Sequence, residues 1–252
     1  MFYKQGPTLT APGGPAAGGG IVSVFAFPFT AIYPNGFTND YENTAWSGDI
    51  SLSYAFTRER VGYVKYARGY KAGGFQSDII SPPLPFPVGP GITPDLVFDP
   101  ETVDAYEVGF KASWFGSTVT TNMALFHYDF ANKQEQVNTG VSFLVNNAAS
   151  AESKGAELEL FWYPTDGLSF FANVGYLDAN YVSFPCGSRV AGVCINFDGN
   201  KLAGASEWSS SFGGSYVTPF DWITGTNFYM AADADYRSSQ FTDPNNSPGL
   251  MV

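Results

Sequence analysis

The chain has one histidine, His127, two residues before Asp129. A serine hydrolase would need that pair in line with a serine hydroxyl, the acid orienting the base and the base taking the serine proton. No Gly-x-Ser-x-Gly elbow or other nucleophile motif accompanies them. Glu157 and Glu159 stand two apart, but the carboxylates of a glycosidase flank a substrate bond across a cleft, and nothing nearby builds one. Gly69, Gly73 and Gly74 lack the Lys-Ser/Thr ending of a phosphate-binding loop and read as a bend at a strand mouth. One histidine and two distant cysteines do not suit a zinc site. Cys186 and Cys194 lie close together in a loop-like stretch. They are a disulfide candidate for an oxidising compartment, with two free thiols as the other reading. No enzyme activity, metal or cofactor is expected.

The elements that must position these residues are unusual in composition. Of 252 residues, 17% are aromatic and only 14% charged, against about 25% charged in ordinary globular domains. Mean hydropathy is −0.06, and no apolar run approaches the roughly 18 residues of a membrane-crossing helix. Few charges, many rings and no apolar run suit strands that alternate between lipid and water. The net charge of −11 leaves no basic surplus to neutralise phosphates, so nucleic acid is not an expected partner. Met1–Pro7 lacks a charged start followed by an apolar stretch, so it is no secretion signal, and a truncated chain is expected.

Eight segments alternate with period two, at about 47–56, 61–70, 102–114, 117–137, 153–163, 168–181, 207–217 and 226–237. Ile50, Leu52, Tyr54 and Phe56 share one face against Asp49, Ser51 and Ser53. Tyr106, Val108 and Phe110 oppose Glu107, Gly109 and Lys111, and Leu158, Leu160 and Trp162 oppose Glu157 and Glu159. Short connections (Thr57–Arg60, Phe115–Ser117, Pro164–Gly167, and a few residues from Pro219) alternate with long ones at 71–101, 138–152 and 182–206. Transmembrane barrels sort their connections this way, with short periplasmic turns and long extracellular loops. Phe56, Trp114, Phe115, Trp162, Tyr163 and Phe220 cluster at the strand ends beside the short turns, where an interfacial aromatic ring belongs. The expected fold is all-β: an antiparallel transmembrane β-barrel, about eight strands of a larger barrel. Residues 1–46 read as an extracellular loop segment rich in Gly, Pro and Phe, 47–240 as partial barrel, and 241–252 as a truncated loop.

Lys65, Glu107, Lys111, Glu157, Glu159, Asp233 and Asp235 fall on the polar faces. They are candidates for contact with a ligand or with whatever fills the lumen, although most such charges simply pair across strands. Lys71, at the mouth, could meet an anionic ligand. Tyr33 and the other aromatics of 21–42, with the proline-rich 76–101 loop, could stack on an aromatic ligand or pack on one another. Arg68 has lipid-face parity near the loop end and is expected to reach the headgroups.

Three stretches carry a resemblance. Tyr66-Ala67-Arg68-Gly69-Tyr70-Lys71-Ala72-Gly73-Gly74-Phe75 resembles the "GxKxGGF" stretch of TonB-dependent receptor barrels. Pro100-Glu101 with Tyr106-Glu107, Gly109 and Lys111 resembles their "PExxxxYExGxK" strand. Asn146-Asn147-Ala148-Ala149, followed by Lys154-Gly155-Ala156-Glu157-Leu158-Glu159 and the turn Pro164-Thr165-Asp166-Gly167, is similar to the "NAxxAxxxGxExE" segment. The match covers roughly 45–240. It implies about 22 strands around a plugged lumen in the bacterial outer membrane. It further implies outer-membrane lipid, a plug domain, the TonB complex and a scarce nutrient as partners, with an iron–siderophore complex expected ahead of a vitamin, haem or a carbohydrate. Neither the plug nor the family's terminal aromatic strand is visible in the sequence. A complete small barrel serving as a structural protein or adhesin, and a barrel hydrolase, are the alternatives.

Overall fold

In hydrocarbon a strand must pair every backbone amide with a neighbour, and the molecule is organised around that demand. The computed structural model describes residues 42–75, 97–138, 143–190, 193–220, 222–223 and 225–252. Tyr33, nearly all of the 1–46 segment, and the Pro82–Pro87 run lie outside the described residues. Twelve strands are described: β1 (Gly48–Thr57), β2 (Arg60–Lys71), β3 (Gly74–Phe75), β4 (Val97–Phe98), β5 (Glu101–Trp114), β6 (Val119–Asn138), β7 (Phe143–Thr165), β8 (Leu168–Ser183), β9 (Ser188–Val190), β10 (Val193–Ile195), β11 (Trp208–Pro219) and β12 (Asn227–Arg237). Eight of them form one antiparallel up-and-down sheet in the order β1-β2-β5-β6-β7-β8-β11-β12. β3 with β4, and β9 with β10, are small hairpins within the long connections.

The two ends of the sheet, β1 and β12, do not pair with each other. Each has a neighbour on one side only, and all their residues are exposed. The eight strands therefore do not close on themselves, which corrects the alternative of a complete eight-stranded barrel.

A second correction concerns 138–152, expected as a loop. β6 and β7 run on as a paired ribbon as far as Asn138 opposite Phe143. Beyond the membrane neither face of such a ribbon meets hydrocarbon, so alternation is no longer required and the pattern that reveals strands fades. The ladder continues without it.

The lipid face is set by parity. Ile50, Leu52, Tyr54, Val108, Met123 and Leu125 all project from it, with Ile50 and Leu52 each 71% exposed. Aromatic rings bracket the band. On the short-turn side Trp162 stacks on Phe170, and Arg60 lies over the Trp114 ring. On the loop side Tyr66 meets Tyr106 and Tyr176 meets Trp208. From Val119 to His127 the chain rises about 27 Å along the strand, or about 21 Å of height at a 40° tilt, close to the usual apolar band.

Glycines in the resembling stretches have a local reason. Gly109 stands opposite Tyr63, whose ring lies where a β-carbon would be, within 2.4 Å. Gly155 stands opposite Phe126, and a β-carbon there would be 2.2 Å from the Tyr176 carbonyl. In both places an aromatic ring on the lumen side lies across the wall instead of a side chain rising from it. Asn147 has a different task. Its amide donates to the carbonyls of Asp99 and Asn132 and its oxygen accepts from the Asp99 N–H. Gln134 adds donations to Ala72 and Asp99 carbonyls. The base of the 71–101 connection is thereby tied to the β6–β7 ribbon.

Met123 sits midway up the band, and Met123→Arg should cost about 2–4 kcal/mol in urea unfolding from lipid bilayers. A change within error would contradict the lipid assignment of that face. Gly155→Val should cost roughly 1–3 kcal/mol through overpacking. Gly48→Val, where a β-carbon meets nothing within 4 Å, should be near neutral in the same measurement.

Candidate functional site

The opposite face of the sheet is the lumen wall. Parity places Lys65, Glu107, Lys111, Glu157 and Glu159 there, as the ladder registers require. They do not form one cluster. Tyr63 donates its hydroxyl to Glu107 Oε1 at 2.5 Å, and the Lys111 ammonium lies 5.8 Å from the centre of the same ring. Lys65 stands opposite Glu107 in register. Across β6, Asn122 donates to Glu159 at 2.9 Å. On β8 and β11 the wall is lined by small polar groups, with Asn173 donating to Ser211 and the hydroxyls of Ser169 and Ser215 2.8 Å apart. Glu157, Glu159, Asp235 and Arg237 border this small-residue stretch. Lys71 lies apart at the mouth, mostly exposed and 3.9 Å from Glu101. Asp233 and Asp235 are on the edge strand β12.

Sequence reasoning missed Tyr63, Asn122 and Asn173 as partners. Their parity was legible. Their partners depend on register, which follows from turn lengths that parity does not read.

The connection between β8 and β11 packs over the loop-side ends of β7 and β8. Tyr181, Phe184, Phe197 and Leu202 pack there against Ala151 and Ala179 in the most buried cluster of the described residues. Burial pushes the Tyr181 hydroxyl up from its ordinary value. Cys186 and Cys194 are joined by a disulfide within this connection, their Cα atoms 4.8 Å apart. The connection also holds the residues after β12. Asn200 donates to the Pro244 carbonyl, Lys201 N–H to Asn246, and Ser206 to Gln240. On the outer surface, hydrogen bonds from Lys201 and Asn180 hold the Asp178 carboxyl below the usual range.

The remaining candidates lie on the lipid-side face. His127 Nε2 is 2.9 Å from Asp129 Oδ1, but among the described residues no serine hydroxyl hydrogen-bonds this histidine. Arg68, expected to reach toward headgroups, pairs with Asp104 at 3.1 Å and lies over the Trp46 ring. An apolar trough along Leu52, Val64, Val108 and Leu125 also lies on this face.

A family model described as "TonB dependent receptor-like, beta-barrel" matches residues 22–251. Among solved structures, the ferric yersiniabactin uptake receptor FyuA from Yersinia pestis is similar over 86% of this chain and 29% of its own, at 18% identity and a TM-score of 0.62. The siderophore receptor PiuA from Acinetobacter baumannii is similar over 84% of this chain and 28% of its own, at 18% identity and a TM-score of 0.61. The copper transporter OprC is similar over 72% and 25%, at 15% identity and a TM-score of 0.55. The chain thus spans less than a third of the length of these proteins, which are receptors and transporters, not enzymes. The chain belongs to the TonB-dependent receptor family, as part of the β-barrel with which those receptors sit in the bacterial outer membrane.

Proposed function

We propose that this chain forms part of the wall of a receptor that captures a scarce nutrient at the cell surface and passes it to the periplasm. Energy is supplied through TonB acting on a plug domain inside the barrel. The observation that carries this reading is the open sheet with two unlike faces. One face is apolar and bracketed by aromatic rings. The other is polar and built largely of small residues, and eight strands that do not close leave a wide lumen to be filled by something other than their own side chains. On this reading Lys65, Glu107, Lys111, Glu157 and Glu159 face the plug, while Lys71 and Tyr33 belong to the ligand-reading mouth. The cargo is an iron–siderophore complex, in keeping with the names of two of the similar structures. The likeness to a copper transporter makes a metal ion without its chelator the second reading.

Deleting the gene should abolish growth on one ferric siderophore under iron limitation, and the uptake of radioactive iron should stop when TonB is absent. Uptake of copper but not ferric chelates would replace the cargo, and uptake indifferent to TonB would overturn the mechanism. Plug contact and ligand contact are separable. Glu107→Gln with Glu157→Gln should slow energised uptake at least severalfold while surface binding at 0 °C is unchanged, because the plug interface is altered and the mouth is not. Lys71→Ala should weaken surface binding itself. The reverse pattern would exchange the two assignments.

A further inference from the structure

Just beyond the outer aromatic ring, the lipid-side face carries a continuous polar row. Arg68, Asp104, Asp129, Glu152, Asn180 and Lys201 stand next to one another on successive segments, each in register with its neighbour. Three carboxylates are therefore adjacent across three strands. Like charges directly opposite each other in a sheet are destabilising, so each needs compensation. Asp104 has it in Arg68, 3.1 Å from both oxygens, and in the Tyr66 hydroxyl at 2.7 Å. Glu152 has Lys154 at 3.1 Å, but that ammonium is shared with Asp178 at 3.6 Å. Asp178 is also served by Lys201 at 2.7 Å. Among the described residues Asp129, in the middle, has only His127. With Asp178, four carboxylates thus face three permanent cations among the described residues, and the deficit falls at Asp129.

His127, Asp129 and Glu152 each offer one ligand atom, and these atoms lie within 4.8 Å of one another. They come from two neighbouring strands, so the ladder holds their backbones in place. The side chains are 41%, 56% and 29% exposed, open to an arriving ion yet backed by the sheet. We propose that His127, Asp129 and Glu152 hold one divalent metal ion on the outer rim of the lipid-facing wall. One imidazole nitrogen and two carboxylates are a donor set that suits Zn²⁺, at bond lengths of about 2.0–2.2 Å after small rotations of the side chains, and they leave a coordination position open. The ion supplies the positive charge missing from the middle of the carboxylate row. Its open position lies at headgroup level, where a phosphate oxygen of an anionic lipid fills it. Lys154 competes with the ion for Glu152.

The test is a calorimetric titration of Zn²⁺ into the protein purified in detergent, without a histidine tag and in phosphate-free buffer. One saturable site is expected. His127→Ala and Glu152→Gln should each weaken it by about tenfold or more. Lys154→Met, which removes the competing ammonium, should leave it equal or tighter. Each variant is checked for the heat-dependent electrophoretic mobility of the folded barrel, and only folded variants are compared. Absence of a saturable site up to about 1 mM Zn²⁺, far weaker than protein zinc sites, would overturn the proposal. So would a site whose affinity neither His127→Ala nor Glu152→Gln changes. If Zn²⁺ binds as expected, repeating the titration in anionic phospholipid vesicles should raise the affinity relative to neutral ones. Equal affinities would remove the lipid ligand while keeping the metal site.

Discussion

A backbone amide inside hydrocarbon has no water to turn to, and each one left bare costs several kcal/mol. That requirement accounts for the order of this sheet. Every long strand pairs with the strand before or after it among the long ones, so the ladder can be completed step by step without crossovers. Side chains, by contrast, are held to little more than a choice of face. This explains how the wall can superpose on FyuA with only 18% of residues identical. The ladder requires that amides be satisfied and leaves the identity of most side chains open.

The two faces solve different problems with the same alternation. Toward lipid, bulk is free of penalty, because acyl chains accommodate whatever projects. Toward the lumen, bulk is kept against the wall by laying a ring flat over a facing glycine. Tyr63 over Gly109 and Phe126 over Gly155 are two instances. The Tyr63 hydroxyl then becomes available to Glu107, so a packing device also fixes the direction of a charge. Glycine in these stretches is a requirement of the ring opposite, not a sign of flexibility.

Within the membrane the fold was legible in the sequence, because lipid on one side and lumen on the other impose a period of two. Leu168 was read as the start of β8 for that reason, and Trp114 as the end of β5. Outside the membrane the same rule has no force, and the ribbon through 138–152 was read as loop. The wall residues Glu107, Lys111, Glu157 and Glu159 were assignable to a face but not to partners, since Asn122 meets Glu159 only through the register of β6 on β7. His127 and Asp129 were visible as a pair because they are local. Glu152 was not, being 23 positions further on, and is brought beside them by a hairpin whose length parity cannot measure.

The connection that carries Cys186 and Cys194 has a bearing on how the protein is built. Its amides are largely answered from within, with Gly187 bonded to Ile195, Phe197 to Phe184 and Gly199 to Tyr181. The disulfide between Cys186 and Cys194 closes a short loop, and closing a loop removes conformations from the unfolded chain rather than adding contacts to the folded one. The shape of this connection is therefore set largely within itself, and the strands β8 and β11 have to supply only its two ends.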